Sequence, residues 1–406
     1  MTSRGWAAAA CWYLAAMLHS SAARAGVWGM DPVLGLVGDY STNPALLSVP
    51  HTAETNGALL IDAPTTYNSD AFAFSIMPSF RLGDSKGYSS LASDYEHLST
   101  KAEFDSERGL LAVTAGIARD SSLYLNYLTN GSVGVQRDAA SADLDWQRLL
   151  TERLEFDADV NTQHVKYGQS SGLSTLVDYQ YTSVTPAFSW KTSERNKLTA
   201  TASVGRYDSL DGTTESRSAN LQVGFIRQLS EIWSVTATAG YSRALNEFDT
   251  EQPEFVFTAN GPTIELVPLT LESSQNGSIY AVNLTRQGSR LVLNASASRQ
   301  LTPTGFAYLS PQKIYEIKSS YSLTDRWSLA ADARYVNAQN PQLHTVPTDY
   351  TIKYLAISTD WRWTEKLTLS VSASRVTDRI VSPNFNLASS ELTVTLSHRF
   401  SHVNFQ

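Results

Sequence analysis

Runs of about ten residues in which apolar and polar side chains alternate recur along almost the whole chain. In residues 233–243, apolar residues take the odd positions up to Tyr241, and Ser, Thr or Gly take the even ones. Successive side chains of a strand point to opposite faces, so each run predicts a strand with one apolar and one polar face. Strands of this length and pattern are those that cross a bilayer at a tilt.

About eighteen such runs can be traced, with sixteen as the alternative count. They cover residues 33–40, 57–66, 72–82, 95–105, 109–119, 141–149, 153–163, 177–191, 198–206, 217–229, 233–243, 278–287, 289–300, 313–323, 327–335, 350–363, 367–375 and 391–400. Their connectors alternate between short polar turns, such as Ser230-Glu231, and longer segments such as 120–140 or 207–216. This alternation is typical of an up-and-down barrel with short turns at one end and long loops at the other. The sequence therefore predicts an all-β, transmembrane, antiparallel up-and-down β-barrel.

The longest connector, residues 246–277, is unusual because it is apolar as well as long. Its two halves alternate in hydrophobicity about Asn260-Gly261-Pro262, which predicts a β-hairpin. Two arrangements are open, one standing above the membrane and one folded into the pore as a constriction. Four tryptophans adjoin short turns and are predicted to form the aromatic girdle at that membrane interface. They are Trp233, Trp327, Trp361 and Trp363.

The N-terminus has the features of an export signal. Arg4 is followed by an apolar stretch from Trp6 to Leu18, and Ala23-Arg24-Ala25 fits the small-x-small cleavage rule. We therefore expect a signal peptide at 1–25 and a barrel domain at 26–406. The one cysteine, Cys11, lies inside the signal, so a disulfide framework and thiolate metal sites are excluded from the mature chain.

Charge and motifs exclude several classes of function. Removing the segment 1–25, which has two basic residues and no acidic ones, leaves 29 basic and 39 acidic residues, a net charge of −10. A nucleic-acid partner, which requires a basic stripe, is therefore not expected. Gly83-Asp84-Ser85 lies in a connector rather than a strand-to-helix turn, so it is interpreted as a chance match to an esterase motif. No catalytic residue, metal site or cofactor is predicted, and the protein is not expected to be an enzyme.

The polar face of the strands would line the lumen of such a barrel. On the hairpin 141–163 this face is acidic and consists of Asp143, Asp145, Glu155, Asp157 and Asp159. These side chains either set a negative field that favours cations or brace the wall. Elsewhere the inward charges are mixed in sign, and bracing ion pairs are the leading interpretation. They are Arg81, Lys101, Glu103, Glu316, Lys318, Asp332, Arg334, Asp360 and Arg362.

A secreted soluble protein such as a propeller is the alternative fold, because its blades also repeat at about 40 residues. The closing run, 391–400, favours the barrel, since it ends on Phe400 and resembles the C-terminal signature of bacterial outer-membrane β-barrels. That resemblance implies insertion by the barrel-assembly machinery into outer-membrane lipids. Six residues follow Phe400, a departure that leaves Phe405 as the alternative signal residue.

The segment Gly38-Asp39-Tyr40-Ser41-Thr42-Asn43-Pro44 resembles a broad group of outer-membrane porins often encoded beside exopolysaccharide export systems. The resemblance implies passage or docking of a polysaccharide, with periplasmic export components as partners. Two functions follow as hypotheses. One is a porin-like conduit for exopolysaccharide or small solutes, and the other is a non-conducting structural or docking barrel of the cell envelope.

Overall fold

A single antiparallel sheet makes up the molecule. The computed structural model describes residues 26–44, 53–84, 95–121, 136–168, 176–258, 261–304, 309–338, 350–380 and 385–405. Its strand segments are β1 (Val27–Met30), β2 (Val33–Ser41), β3 (Glu54–Asp62), β4 (Thr65–Asn68), β5 (Phe72–Asp84), β6 (Tyr95–Ser106), β7 (Gly109–Ser121), β8 (Gln136–Leu149), β9 (Leu154–Tyr167), β10 (Tyr179–Ser193), β11 (Asn196–Ser209), β12 (Thr214–Gln228), β13 (Trp233–Thr258), β14 (Gly261–Gln287), β15 (Leu291–Pro303), β16 (Leu309–Thr324), β17 (Trp327–Ala338), β18 (Tyr350–Arg362), β19 (Leu367–Ile380), β20 (Phe385–Arg399) and β21 (Val403–Phe405).

The sheet closes on itself. Leu36 of β2 pairs with Leu396 of β20, and Trp28 of β1 pairs with Phe405 of β21, so the first strand joins the last. The pairs β1/β2, β3/β4 and β20/β21 are each one interrupted strand, which makes an eighteen-stranded barrel. A closed sheet leaves no row of unpaired backbone groups at an edge. The predicted all-β antiparallel barrel and its strand count are confirmed.

Proline causes interruptions near the seam. Pro32, Pro64 and Pro78 lie in three neighbouring strands and have no N–H to donate to the ladder. Their carbonyl oxygens still accept hydrogen bonds, Pro64 from Asp31 N at 3.1 Å and Pro32 from Phe400 N at 2.9 Å. The barrel therefore stays hydrogen-bonded across the interruptions.

The last strand differs from the prediction, because its pairing does not stop at Phe400. The register runs Leu34↔His398 before the interruption and Met30↔Val403 after it, so one extra residue lies in the last strand. This is a β-bulge, and it exchanges the faces of odd and even positions. Phe400 and Val403 are accordingly both exposed, at 45% and 44%.

The outer face is apolar and bounded by two aromatic levels. On β17 the odd positions face outward from Trp327 to Tyr335, while Asp332 and Arg334 face inward. Eight residues separate the two aromatics, about 26 Å along a strand at 3.3 Å per residue. A strand tilted by about 40° then crosses about 20 Å, close to the height of the apolar band of a membrane barrel. β13 repeats the pattern between Trp233 and Tyr241.

One connector is shorter than predicted, and the longest one forms the predicted hairpin. The segment 207–216 is a tight turn between Ser209 and Thr214, closed by Gly212 at φ 76°, where glycine is favoured. The segment 246–277 is the predicted hairpin, with β13 and β14 paired from Trp233↔Arg286 to Thr258↔Gly261. The predicted signal peptide lies outside the described residues. Within the described ranges, no helix is long and apolar enough to cross a membrane.

Candidate functional site

The lumen wall made by β8 and β9 carries the five predicted acidic side chains. The register sets Asp145 opposite Asp159 and Gln147 opposite Asp157, so the inward row is continuous across the two strands. Leu144 and Trp146, on the other face, are exposed outward. Asp143, Asp145, Glu155, Asp157 and Asp159 therefore form one patch of wall, called here the acidic patch.

The acidic patch has little compensating charge. Lys197 of β11 contacts both carboxylate oxygens of Glu155, at 3.1 and 3.2 Å. The Asn161 amide donates to Asp143 at 2.7 Å. Among the described residues, no Lys or Arg nitrogen lies within 4.0 Å of the carboxylates of Asp143, Asp145, Asp157 or Asp159. Four carboxylates against one wall of a confined lumen set up a negative field that attracts cations.

The mixed charges lie at separate places on the wall rather than in one site. Arg81 of β5 contacts Asp39 of β2, and both side chains are buried. Asp39 had not been identified from the sequence, although its odd position on β2 places it on the inward face. Lys101 and Glu103 are neighbours on the inward face of β6, 2.5 Å apart.

A second group of charges lies on β16 to β18. The Glu316 carboxylate is 2.9 Å from Lys318 and 3.8 Å from Arg334, while Asp332 lies directly opposite Lys318. Asp360 accepts a hydrogen bond from the Ser370 hydroxyl at 2.6 Å. Arg362 is exposed at the turn end of β18. Most of these charges therefore have polar partners within the wall.

The loop-side half of the lumen contains a contact that had not been predicted from the sequence. At the end of β15, the Thr304 carbonyl oxygen accepts a hydrogen bond from the Tyr207 hydroxyl of β11 at 3.1 Å. Leu309 packs with Tyr207, Tyr179 and Val165 in one buried cluster. Because this contact joins distant parts of the wall, it partly closes the lumen there.

Beside this narrowing lies a buried ion pair. Arg137 of β8 donates two hydrogen bonds to Asp120 of β7, at 2.9 and 3.1 Å, and His97 Nε2 lies 3.2 Å from the same carboxylate. Tyr179 stacks on Tyr207 with ring centroids 5.1 Å apart. The wall from β7 to β11 thus carries an aromatic and ionic region at its loop end and the acidic patch nearer its turn end.

The predicted interface aromatics face outward at the turn end. Trp361 and Trp363 stack at 5.6 Å, and the Trp327 indole donates to the Thr359 hydroxyl at 2.5 Å. Arg286 lies over the ring of Trp233 at 6.0 Å. Further aromatics of the same end had not been identified from the sequence. They are Trp28, Tyr67, Phe72, Phe74, Phe104, Trp146, Phe156, Phe188 and Trp190.

Groups of three or more His, Cys, Asp or Glu suited to holding a metal ion are absent from the described part of the chain. Nothing in the geometry of the wall therefore identifies a resident metal or cofactor.

No family model and no curated sequence matches this chain. Among solved structures, the copper transporter OprC aligns with a TM-score of 0.50 at 11% identity, over 90% of this chain and 65% of that one. Pseudomonas aeruginosa OpdQ gives 0.44 at 12% identity, over 94% and 98% of the two chains. A BenF-like porin from Pseudomonas fluorescens Pf-5 gives 0.45 at 12% identity, over 91% and 99%.

These similarities concern the fold alone. The chain spans less than two thirds of the length of OprC, and the sequence identity to each of the three proteins is 12% or lower. The function of the lumen therefore depends on the side chains that line it.

Proposed function

We propose that this protein is an outer-membrane conduit for small hydrophilic solutes, with a preference for cations. The apolar outer band between two aromatic levels supports a membrane location, since every backbone polar group of a closed barrel is hydrogen-bonded internally. The fold is that of outer-membrane barrels, and the N-terminal sequence fits an export signal. Outer-membrane lipids and the barrel-assembly machinery are the partners this location requires.

The observation that carries the proposal is the excess of carboxylates in the acidic patch, where one of the five is paired with a cation among the described residues. Asp143, Asp145, Asp157 and Asp159 face the lumen from two adjacent strands without a cationic partner among the described side chains. Charges placed so closely destabilise the wall unless protonation or mobile cations neutralise them. A structural brace would instead pair opposite charges, as Arg81 and Asp39 do.

The narrowing near Tyr207 favours small solutes over a polymer. A sugar chain would be expected to stack on exposed aromatic faces along its path. Tyr207 has no exposed surface and Tyr179 is 4% exposed, so neither ring is offered to a passing sugar. Exopolysaccharide secretion is therefore the less favoured form of the conduit.

A non-conducting docking barrel is the second candidate. The observation that favours it is a buried apolar cluster in the loop-side lumen, formed by Val336, Ala338, Ile352, Val376 and Leu387. These buried inward side chains reduce the open cross-section of the lumen. In that case periplasmic export components would be the partners of the barrel.

Planar-bilayer recordings under a salt gradient test the proposal. The wild-type barrel should conduct with a cation-selective reversal potential, more strongly at low salt, because screening shortens the reach of the patch. Replacing Asp143, Asp145, Asp157 and Asp159 by Asn should move the reversal potential toward zero. If the variant conducts with an unchanged reversal potential, these residues only stabilise the wall. If the wild-type barrel does not conduct, the docking function is favoured.

A further inference from the structure

The outward face of β15 to β20 carries charge of a single sign. Apart from Leu309, which turns into the lumen at the end of β16, outward side chains occupy the odd positions of β15 to β19 and the even positions of β20, as the exposed residues Ile317, Leu355 and Leu392 show. Among the described outward positions of these six strands there is no Asp or Glu. The outward cations, called here the cationic arc, are Arg299, Lys313, Lys353, Arg375 and Arg379.

The cationic arc lies at the level of the loop-side aromatics. The hydroxyl oxygens of Tyr280 and Tyr315 are 3.4 Å apart, and the rings of Tyr315 and Tyr335 are 5.9 Å apart. Arg299 lies directly opposite Tyr280, and Lys353 directly opposite Tyr335. Aromatic side chains of this kind mark the depth of the lipid headgroups. The arc therefore faces the headgroup layer rather than bulk water or acyl chains.

Two outward arginines elsewhere on the loop side have carboxylate partners, whereas Arg243 on β13 has none among the described residues. Arg119 pairs with Asp138 at 2.9 Å, and Arg217 with Glu215 at 2.6 Å. Around the cationic arc, by contrast, no carboxylate of the described residues lies within 4.0 Å of a cationic nitrogen. Arg299 donates only to the Ser278 hydroxyl in the contacts resolved, at 3.3 Å. Within the described part of the chain, the charge of this sector is therefore not neutralised by a carboxylate.

The arrangement within the arc brings like charges together. Arg299 and Lys313 are direct partners across β15 and β16. Lys353 pairs with Thr377, which places it on the diagonals to Arg375 and Arg379. Like charges opposite one another destabilise a sheet through their repulsion. An anion bound between them would reduce this repulsion. Phosphate suits this role, because Arg and Lys donate strong charge-assisted hydrogen bonds to its oxygens.

We propose that the cationic arc binds the phosphate groups of a phosphorylated glycolipid in the outer leaflet of the membrane. This inference rests on the proposed outer-membrane location but not on conduction by the lumen. The position of the cationic arc along the barrel axis determines the depth at which the phosphate binds. The positive charge of the arc selects a phosphate over a neutral headgroup. The bound lipid would occupy the β15 to β20 side of the barrel, leaving the sector with Arg119 and Arg217 without such a ligand.

Native mass spectrometry of the mature protein in detergent, titrated with a phosphorylated diglucosamine lipid, tests this. The triple variant Lys353→Gln, Arg375→Gln, Arg379→Gln should bind the lipid more weakly. Each cation near an anionic lipid contributes a factor of about five, so the loss for three is roughly a hundredfold. The matched control is Lys318→Gln, Arg326→Gln, Arg362→Gln, which removes three charges at lumen or turn-end positions of β16 to β18.

The control should bind as the wild type does. Equal weakening in both triple variants would overturn the proposal, because net charge rather than the arc would then be responsible. The wild-type protein should bind the dephosphorylated lipid more weakly than the phosphorylated one. Equal binding of the two lipids would also overturn the proposal. Conductance is measured separately, in bilayers of neutral lipid. A barrel that does not conduct but still binds the phosphorylated lipid would refute the proposed conduit and support the proposed lipid site.

Discussion

The hydroxyl of Tyr207 on β11 donates a hydrogen bond to the carbonyl oxygen of Thr304 at the end of β15, 3.1 Å away. Three strands lie between them in the sheet, a separation of about 19 Å along the wall at 4.8 Å per strand. Contact across that separation requires the end of β15 to reach into the lumen. The bond therefore joins two separated parts of the loop-side wall.

Removing this bond should widen the path. Tyr207→Phe keeps the ring but leaves the Thr304 carbonyl without this donor, at a cost of about 1 kcal/mol in holding the end of β15 inward. We expect larger single-channel conductance or more frequent conductance steps in planar bilayers. Tyr241→Phe, on the outward face, is the matched control and should conduct like the wild type. Identical records for both variants would mean that this contact does not limit passage.

Charge should be costly on the outer face and tolerated on the inner one. Ala237 lies midway between Trp233 and Tyr241, so Ala237→Arg places a charge near the bilayer midplane. We expect a cost of roughly 2–4 kcal/mol in the free energy of unfolding in lipid vesicles. Thr238→Arg, one residue away and inward, lies between Gly224 and Ala281, which leave room for it, and should cost much less. Similar costs at both positions would argue against the assignment of the faces.

The alternation of side chains was sufficient to predict the strands, because a period of two determines both the strand and its faces. Leu144 and Asp145 were thus assigned to opposite faces without any contact information. The connectors were less predictable. The run 246–277 was recognised as a hairpin from its own alternation, whereas the segment 207–216 was expected to be long, although Gly212 in its centre allowed a tight turn.

Contacts across the lumen could not be derived from the sequence. The partnership of Tyr207 with Thr304 depends on where two distant connectors meet, and no local pattern encodes that. The bulge before Val403 was not located from the sequence, although Phe405 had been offered as the alternative signal residue, because an extra residue is visible only when two registers are compared. Asp39 was overlooked, although its odd position on β2 was sufficient to place it on the inward face.

Two neighbouring ion pairs with opposite exposure offer a direct test of burial. Asp120 pairs inward with Arg137, and its side chain is 1% exposed. Asp138 pairs outward with Arg119 on the same two strands. Asp120→Asn should cost about 3 kcal/mol in unfolding free energy, the lower end for a buried pair, since it leaves the half-buried Arg137 guanidinium, 17% exposed, without its carboxylate partner. Asp138→Asn should leave the unfolding midpoint within error, because solvent screens that pair. A larger effect at Asp138 would contradict the burial argument.

Lys197 should reduce the cation preference of the acidic patch. It lies 3.1 Å from Glu155 and is the cation paired with the patch among the described residues. Lys197→Gln would free a fifth carboxylate, so the reversal potential under a salt gradient should shift further in the cation-selective direction. Lys318→Gln, which removes the same charge on the far wall, should shift the potential less. A shift toward anion selectivity in Lys197→Gln would refute the role of the patch.

The β13–β14 hairpin should be dispensable for folding and conduction. β12 pairs with β13 only as far as Phe248, and β14 begins to pair with β15 at Tyr280, so the hairpin extends beyond its neighbours. Its side chains at Val267, Leu269 and Leu271 are 37–38% exposed, which fits an arm standing in solvent rather than one packed into the lumen.

Deleting residues 251–268 tests this. Thr250 and Leu269 are direct partners, so a two-residue Asn-Gly turn can join them without changing the register. The shortened barrel should show the same heat-modifiable migration in a detergent gel and the same single-channel conductance as the wild type. Higher conductance after the deletion would show that the hairpin narrows the pore. Loss of the heat-modifiable form would show that the arm stabilises the barrel.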